Sequence, residues 1–210
     1  MKRHLIAAAT VAAVLALSGC GSAEPTSDTT TTSTSAAAVD TSAAPADVQW
    51  QSWRGASLPT SSTDGPREVA GDVATGYTPT PQGAVLAAAQ GITRLRLAPD
   101  NSWPDVVNAV AAPGVGRDTY AVNRAQVSIT DPAPEGTEAL LEGFEVTDFT
   151  DTRAVVRLAV ERPDGALMAT THTLVWSGED WKLLLPAPDD IPEPETLTDT
   201  AGFTEFAAAS

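Results

Sequence analysis

One cysteine, two histidines and two lysines occur among 210 residues, and aromatic side chains make up only 5% of the chain. The usual zinc sets need several His or Cys ligands. His172 is the only histidine beyond His4, so those sets are excluded and no metal is expected. The same scarcity leaves at most one candidate base for a Ser/His/Asp arrangement. Positive charge is also sparse: 12 Lys and Arg stand against 27 Asp and Glu, for a net charge of −15. Such a chain is repelled by nucleic acid and by anionic headgroups, so no nucleic-acid partner is expected. Gly114-Val115-Gly116 follows Pro113 rather than a strand and lacks a following Lys-Ser/Thr, so it is not a phosphate loop. None of the acidic runs has the alternating Asp/Asn and later Glu of a calcium loop. No cofactor is expected.

At the N-terminus, Lys2, Arg3 and His4 precede an apolar run from Leu5 to Leu17 broken only by Thr10. That run is too short to span a bilayer and has the length of a signal core. Leu17-Ser18-Gly19-Cys20 then resembles the lipobox of bacterial lipoproteins. The resemblance implies that residues 1–19 are a signal peptide. The Cys20 thiol would receive a diacylglycerol group and become the new N-terminus. An ordinary cleaved signal with a chance cysteine is the plain alternative. Processing would remove Lys2 and Arg3, leaving 10 basic against 27 acidic residues and a charge of −17. It would also spend the only thiol, so none would remain for a disulfide, a redox pair or a nucleophile. Two acyl chains suffice for stable anchoring, so the expected membrane partner is reached through lipid on Cys20.

Residues 20–47 are Ser, Thr and Ala with scattered Asp, Glu and Pro, and are expected to form a disordered tether. Residues 48–186 are expected to be a single domain. Residues 187–210, rich in Pro, Asp and Glu, read as an extended acidic tail with Phe203 and Phe206 as docking side chains.

Within the domain, Trp50 and Trp53 open an extended segment ending at Leu58-Pro59, and Asp64-Gly65-Pro66 marks a loop. Thr80-Pro81 is a helix start with a capping hydroxyl and proline at the first position. The helix would run towards Leu95, weakened by Gly91. A second helix begins at Ser102-Trp103-Pro104-Asp105 and a third spans Asp118 to Ala125. The period then changes. Strands are expected over Leu140–Phe149, from Ala154 to Glu161, over Leu167–Trp176 and from Trp181, with a turn at Pro163-Asp164-Gly165. Three helices followed by a meander of four or more antiparallel strands is an α+β fold, with the helices on a curved, cone-like sheet.

Gly76-Tyr77-Thr78-Pro79-Thr80-Pro81-Gln82-Gly83-Ala84 resembles the helix-opening stretch of an uncharacterised domain in secreted or membrane-tethered actinobacterial proteins. Trp50/Trp53 with Leu58-Pro59 and Gly65-Pro66, and Leu174-Val175-Trp176 with Asp180-Trp181, are similar in order and spacing. This resemblance implies an envelope role near conjugation or integrative elements and no established activity. The element order also resembles the nuclear-transport-factor-2-like cone used by scaffold domains of type IV secretion systems. Fold likeness of that kind carries no site.

His172 shares a strand face with Met168, Thr170, Leu174 and Trp176. It reads either as a structural histidine or as an acid–base group in a cone pocket, with a neighbouring carboxylate as the deciding feature. The five tryptophans read as core, or, for Trp50 and Trp53, as a stacking surface for a ligand. The expectation is therefore a non-enzymatic, membrane-anchored envelope lipoprotein that binds a protein partner or scaffolds a conjugation or secretion apparatus. The alternative is a small-ligand-binding cone or weak hydrolase using a pocket near His172.

Overall fold

The computed structural model describes residues 39–206. The expected signal peptide, Cys20 and the tether up to residue 38 lie outside the described residues, as do residues 207–210.

Two small hairpins come first. Strand β1 (Val48–Trp53) pairs with β2 (Ala56–Ser61), and β3 (Glu68–Ala70) with β4 (Val73–Thr75). The single extended segment expected around Trp50 and Trp53 is thus corrected to a hairpin. Its two-residue turn puts Arg54 at φ 49° and Gly55 at φ 89°, the pair of positive angles that matches strand twist. A side chain at Gly55 would also collide with the Ala133 carbonyl. Arg54 is held by donating from Nε to the Leu97 carbonyl (2.8 Å) and from Nη2 to the Asp131 carbonyl (2.6 Å).

Helices α1 (Pro81–Leu97), α2 (Trp103–Val110) and α3 (Val115–Arg124) follow. Thr80 caps α1 as its sequence implies: its hydroxyl accepts from the Gly83 N–H at 3.1 Å. Gly91 does not end the helix. A Cβ there would lie 2.9 Å from the Leu183 side chain, so the glycine makes room for the sheet. Packing outweighs its propensity cost of about 1 kcal/mol.

The second half is one five-stranded antiparallel sheet. Strands β5 (Leu140–Thr150), β6 (Arg153–Glu161), β7 (Leu167–Trp176) and β8 (Trp181–Leu183) form the meander, and β9 (Glu195–Thr196) joins the β7 edge. Register shifts at Leu141/Gly143 and Val146/Asp148 put two irregularities into β5. Helix α1 packs on the sheet, and Leu86, Val85, Val106, Phe144, Val156 and Leu174 form the centre of the core with 0–1% exposure.

The expected domain edges move outward on both sides. The end of the expected tether is fastened to the domain: Pro45 is fully buried, and the Ala46 N–H donates to Asp64 Oδ2 at 3.0 Å, while most of residues 39–47 stay exposed. The expected acidic tail is a fifth strand and a core plug. Phe144 and Thr204 exchange backbone hydrogen bonds of 2.9 and 2.7 Å. Phe206 is 7% exposed, its ring 5.1 Å from Phe144 and 5.8 Å from Trp50. Phe203 lies under the Arg157 guanidinium at 5.0 Å. The two rings expected to dock do so on this domain's own sheet, where they have a large area to bury.

Candidate functional site: a hollow at one end of the sheet

A cavity of about 820 Å³ opens between α1, β2, the inner face of β6 and β7, and the segment after β8. Helix α1 contributes Ala89, Ile92 and Thr93, three positions along one helical stripe. From the sheet come Leu141, Leu158, Val160, Thr170 and His172; from β2, Ala56 and Leu58. Leu158, Val160, Thr170 and His172 share a face because side chains alternate along a strand and pair across it: Leu158 lies opposite Thr170, and Val156 opposite His172. The volume is within the range of small-molecule sites, which are mostly apolar with few polar groups.

His172 is the polar feature of this inner wall. Its Nε2 is 2.8 Å from Thr170 Oγ1, two residues away on the same face. Among the described residues the ring has no other hydrogen-bond partner, and burial alone pushes its pKa down to about 4. A carboxylate at hydrogen-bonding distance would have held it up. The imidazole is therefore neutral at ordinary pH. The arrangement can orient a ligand's polar group, but an acid–base pair needs a second titratable group that the described residues do not bring to the ring. Arg96, its charge paired to Glu138, and Asp190 also line the hollow.

Trp50 and Trp53 are not brought to His172. Trp50 packs edge-on against Phe206. Trp53 lies 4.6 Å beneath the Arg94 guanidinium and donates from Nε1 to Asp72 Oδ1 at 3.1 Å. Asp72 also accepts from Ser102 Oγ at 2.6 Å, and Arg94 donates to Gln90 and to the Asp72 carbonyl. This part-buried network ties β1, the β3–β4 turn and α1 together, which accounts for Trp53 without a ligand. Trp103 sits under Arg124 at 5.7 Å, while Trp181 is 2% exposed and donates to the Thr78 carbonyl at 2.8 Å. Trp50 and Trp53 are half-buried in these contacts and do not line the hollow.

Residues that sequence reasoning missed are those of the α1 stripe and the segment 184–194. Ala89, Ile92 and Thr93 read as generic helix face, and nothing in their order says that the space opposite is left unfilled. Thr170 carried a signal, being two residues from His172 on an alternating strand.

The family model of a domain of unknown function, DUF8175, matches residues 16–205. The chain belongs to this family. No curated protein and no solved structure matches it. The DUF8175 match covers both hairpins, the three helices and the sheet through Thr204, so the hollow lies wholly within the family's domain. Among the described residues, no cluster of three or more His, Cys, Asp or Glu could hold a metal ion, and no helix is long and apolar enough to cross a membrane.

Proposed function

We propose that this chain is a lipid-anchored, extracytoplasmic binding protein whose domain holds a small, largely apolar ligand in the hollow beside His172, without performing catalysis on it. The cavity of about 820 Å³, lined mainly by aliphatic side chains, with Arg96, Arg153 and Asp190 as its charged groups and the neutral His172–Thr170 pair among its polar ones, carries this reading. An apolar body would fill the space against Leu158, Val160 and Ile92, and one acceptor or donor would meet the imidazole. A weak hydrolase is disfavoured because the neutral His172, bonded to Thr170, has no second titratable group at hydrogen-bonding distance among the described residues.

Anchoring rests on Leu17-Ser18-Gly19-Cys20 after a short apolar run. The segment between Cys20 and Asp40 would hold the domain off the bilayer. The α1-on-sheet arrangement is read here as the wall of a cone like that of nuclear-transport-factor-2-like domains, and a place in a conjugation or secretion apparatus would make the ligand or an envelope partner part of that machinery. Two measurements test the proposal. Cys20→Ala should abolish palmitate labelling and release the chain from membranes; retention at the wild-type level would sink the anchor. Dodecanoate titrated into the full chain should shift the methyl signals of Leu158 and Val160; unchanged signals at millimolar ligand would sink the cavity reading.

A further inference from the structure

The sheet has an open window in its β7 edge. Residues 168, 170, 172, 174 and 176 of β7 turn their backbone groups towards β6, as the Trp176 N–H to Thr152 carbonyl bond shows. Residues 167, 169, 171, 173 and 175 therefore face the other edge. There β9 covers Met168 and Ala169, and β8 covers Leu174 to Trp176. Leu197 donates to the Leu167 carbonyl and Leu184 to the Thr173 carbonyl, the last bonds on either side. Between them the Thr171 N–H, the Thr171 carbonyl and the Thr173 N–H have no hydrogen-bond partner among the described residues. Thr171 and Thr173 line the same hollow as His172.

The segment that crosses the window does not close it. Pro186, Pro188, Pro192 and Pro194 lack the N–H that a ladder needs, and each fixes its own φ. A backbone donor and acceptor pointing the same way from one residue match one other residue in an extended chain. Side chains of cross-strand neighbours share a face. A guest residue opposite Thr171 would point its side chain outward, while the residues before and after it would lie opposite Thr170 and His172 and point theirs into the hollow.

We propose that the window takes an extended peptide segment of a partner protein, about three residues long, with apolar side chains flanking a central residue that pairs with the Thr171 backbone. The inference deepens the binding reading above and rests on the hollow being the binding site. The chain's charge of −15 selects a neutral or cationic segment over an acidic one. The pairing is strand addition, in which main-chain bonds supply affinity and the alternate pockets supply specificity.

The probe is acetyl-Leu-Thr-Leu-amide, added to the full chain in lipid nanodiscs and followed by amide NMR. The expected result is a shift of the Thr171 and Thr173 amide signals, with at least tenfold slower exchange of the Thr171 N–H. Thr171→Pro removes that donor without touching the bonds to β6 and should weaken peptide binding at least tenfold. Thr171→Ala, which keeps the N–H, should bind within twofold of wild type. Peptide binding retained in a folded Thr171→Pro, or shifts at Leu158 without any at Thr171, would overturn the inference. So would a Thr171 N–H already protected in the peptide-free chain, since the chain's own residues would then fill the window. If Thr171→Pro does not fold, the wild-type Thr171 shift decides. Dodecanoate binding without peptide binding overturns the window alone, whereas binding of neither overturns the hollow as well.

Discussion

Two cross-strand rows of the same sheet are built on opposite plans. At the row Phe149–Ala154–Leu174–Leu183, rings close the inner face: Trp181 stands 5.3 Å from Trp176 and 5.8 Å from Phe149, and Ala154 and Leu174 are wholly buried. At the row Leu141–Val160–Met168 and its neighbour Phe144–Leu158–Thr170, Leu141, Val160, Leu158 and Thr170 face the hollow, while Phe144 is buried against Phe206. The same five-stranded scaffold is thus a packed core at one end and a container at the other. Interiors are normally filled to crystal-like density. A space this large persists because the filled end supplies the stability and because the Pro-rich segment across the open end brings few large side chains.

Substitutions should break this contrast in order of size. Trp181→Ala should cost about 3–5 kcal/mol, because a fully buried ring and its bond to the Thr78 carbonyl are both lost. Denaturant unfolding measures it; a loss below about 1 kcal/mol would show that the aromatic end is not the stabilising one.

His172 gives the next effect, through pH. Its folded pKa lies at about 4, below the 6.5 of the free side chain. The unfolded chain therefore binds the proton first as pH falls, and stability contributed by the neutral ring is complete above about 6.5 and declines towards pH 4. The expected loss across that window is about 3 kcal/mol. His172→Gln should flatten this part of the stability–pH curve; an unchanged slope would mean that the ring is solvated rather than held in the wall.

A pair of neighbours on α1 sharpens the comparison further. Ala88 is fully buried and does not line the hollow, whereas Ala89 does. Ala88→Leu should cost about 1–3 kcal/mol through overpacking, and Ala89→Leu less than about 1 kcal/mol, because its added atoms enter empty space. Ala89→Leu should at the same time lower dodecanoate affinity. Equal costs at the two positions would show that the hollow is no more accommodating than the core. The smallest effect is expected at the exposed ion pair of Arg153 with Asp148 (2.8 Å): Asp148→Asn should change stability by less than about 0.5 kcal/mol.

Legibility in the sequence followed local signals. Thr80-Pro81, the Pro163-Asp164-Gly165 turn and the alternation from Ala154 to Val160 placed α1, β6 and β7 close to their observed bounds. The hairpin at Arg54-Gly55 was missed because Arg is not a customary left-handed residue; it is held there by the Leu97 and Asp131 carbonyls, which are far away in sequence. Phe206 was named as a docking side chain, but its place in this domain's own core was missed for a related reason. Acidic and Pro-rich neighbours read as solvated chain, and only the opposite strand supplies Phe144 and Trp50 as partners. His172 was singled out, but its partner Thr170, and the lack of a carboxylate beside it, were not.

By itself the sequence determined the three helices followed by the antiparallel strands of the meander, the caps and turns that bound them, and the scarcity of His, Cys, Lys and Arg, because each of these depends on residues close together or on composition. Tertiary structure decided where side chains run out. Whether Leu158, Val160 and Ile92 meet other atoms or face a hollow depends on how far α1 stands from β6 and β7 and on where the chain after β8 crosses the sheet. The open backbone at Thr171 has the same origin: β8 ends at Leu183 and β9 begins at Glu195, and the prolines between them leave the edge unpaired.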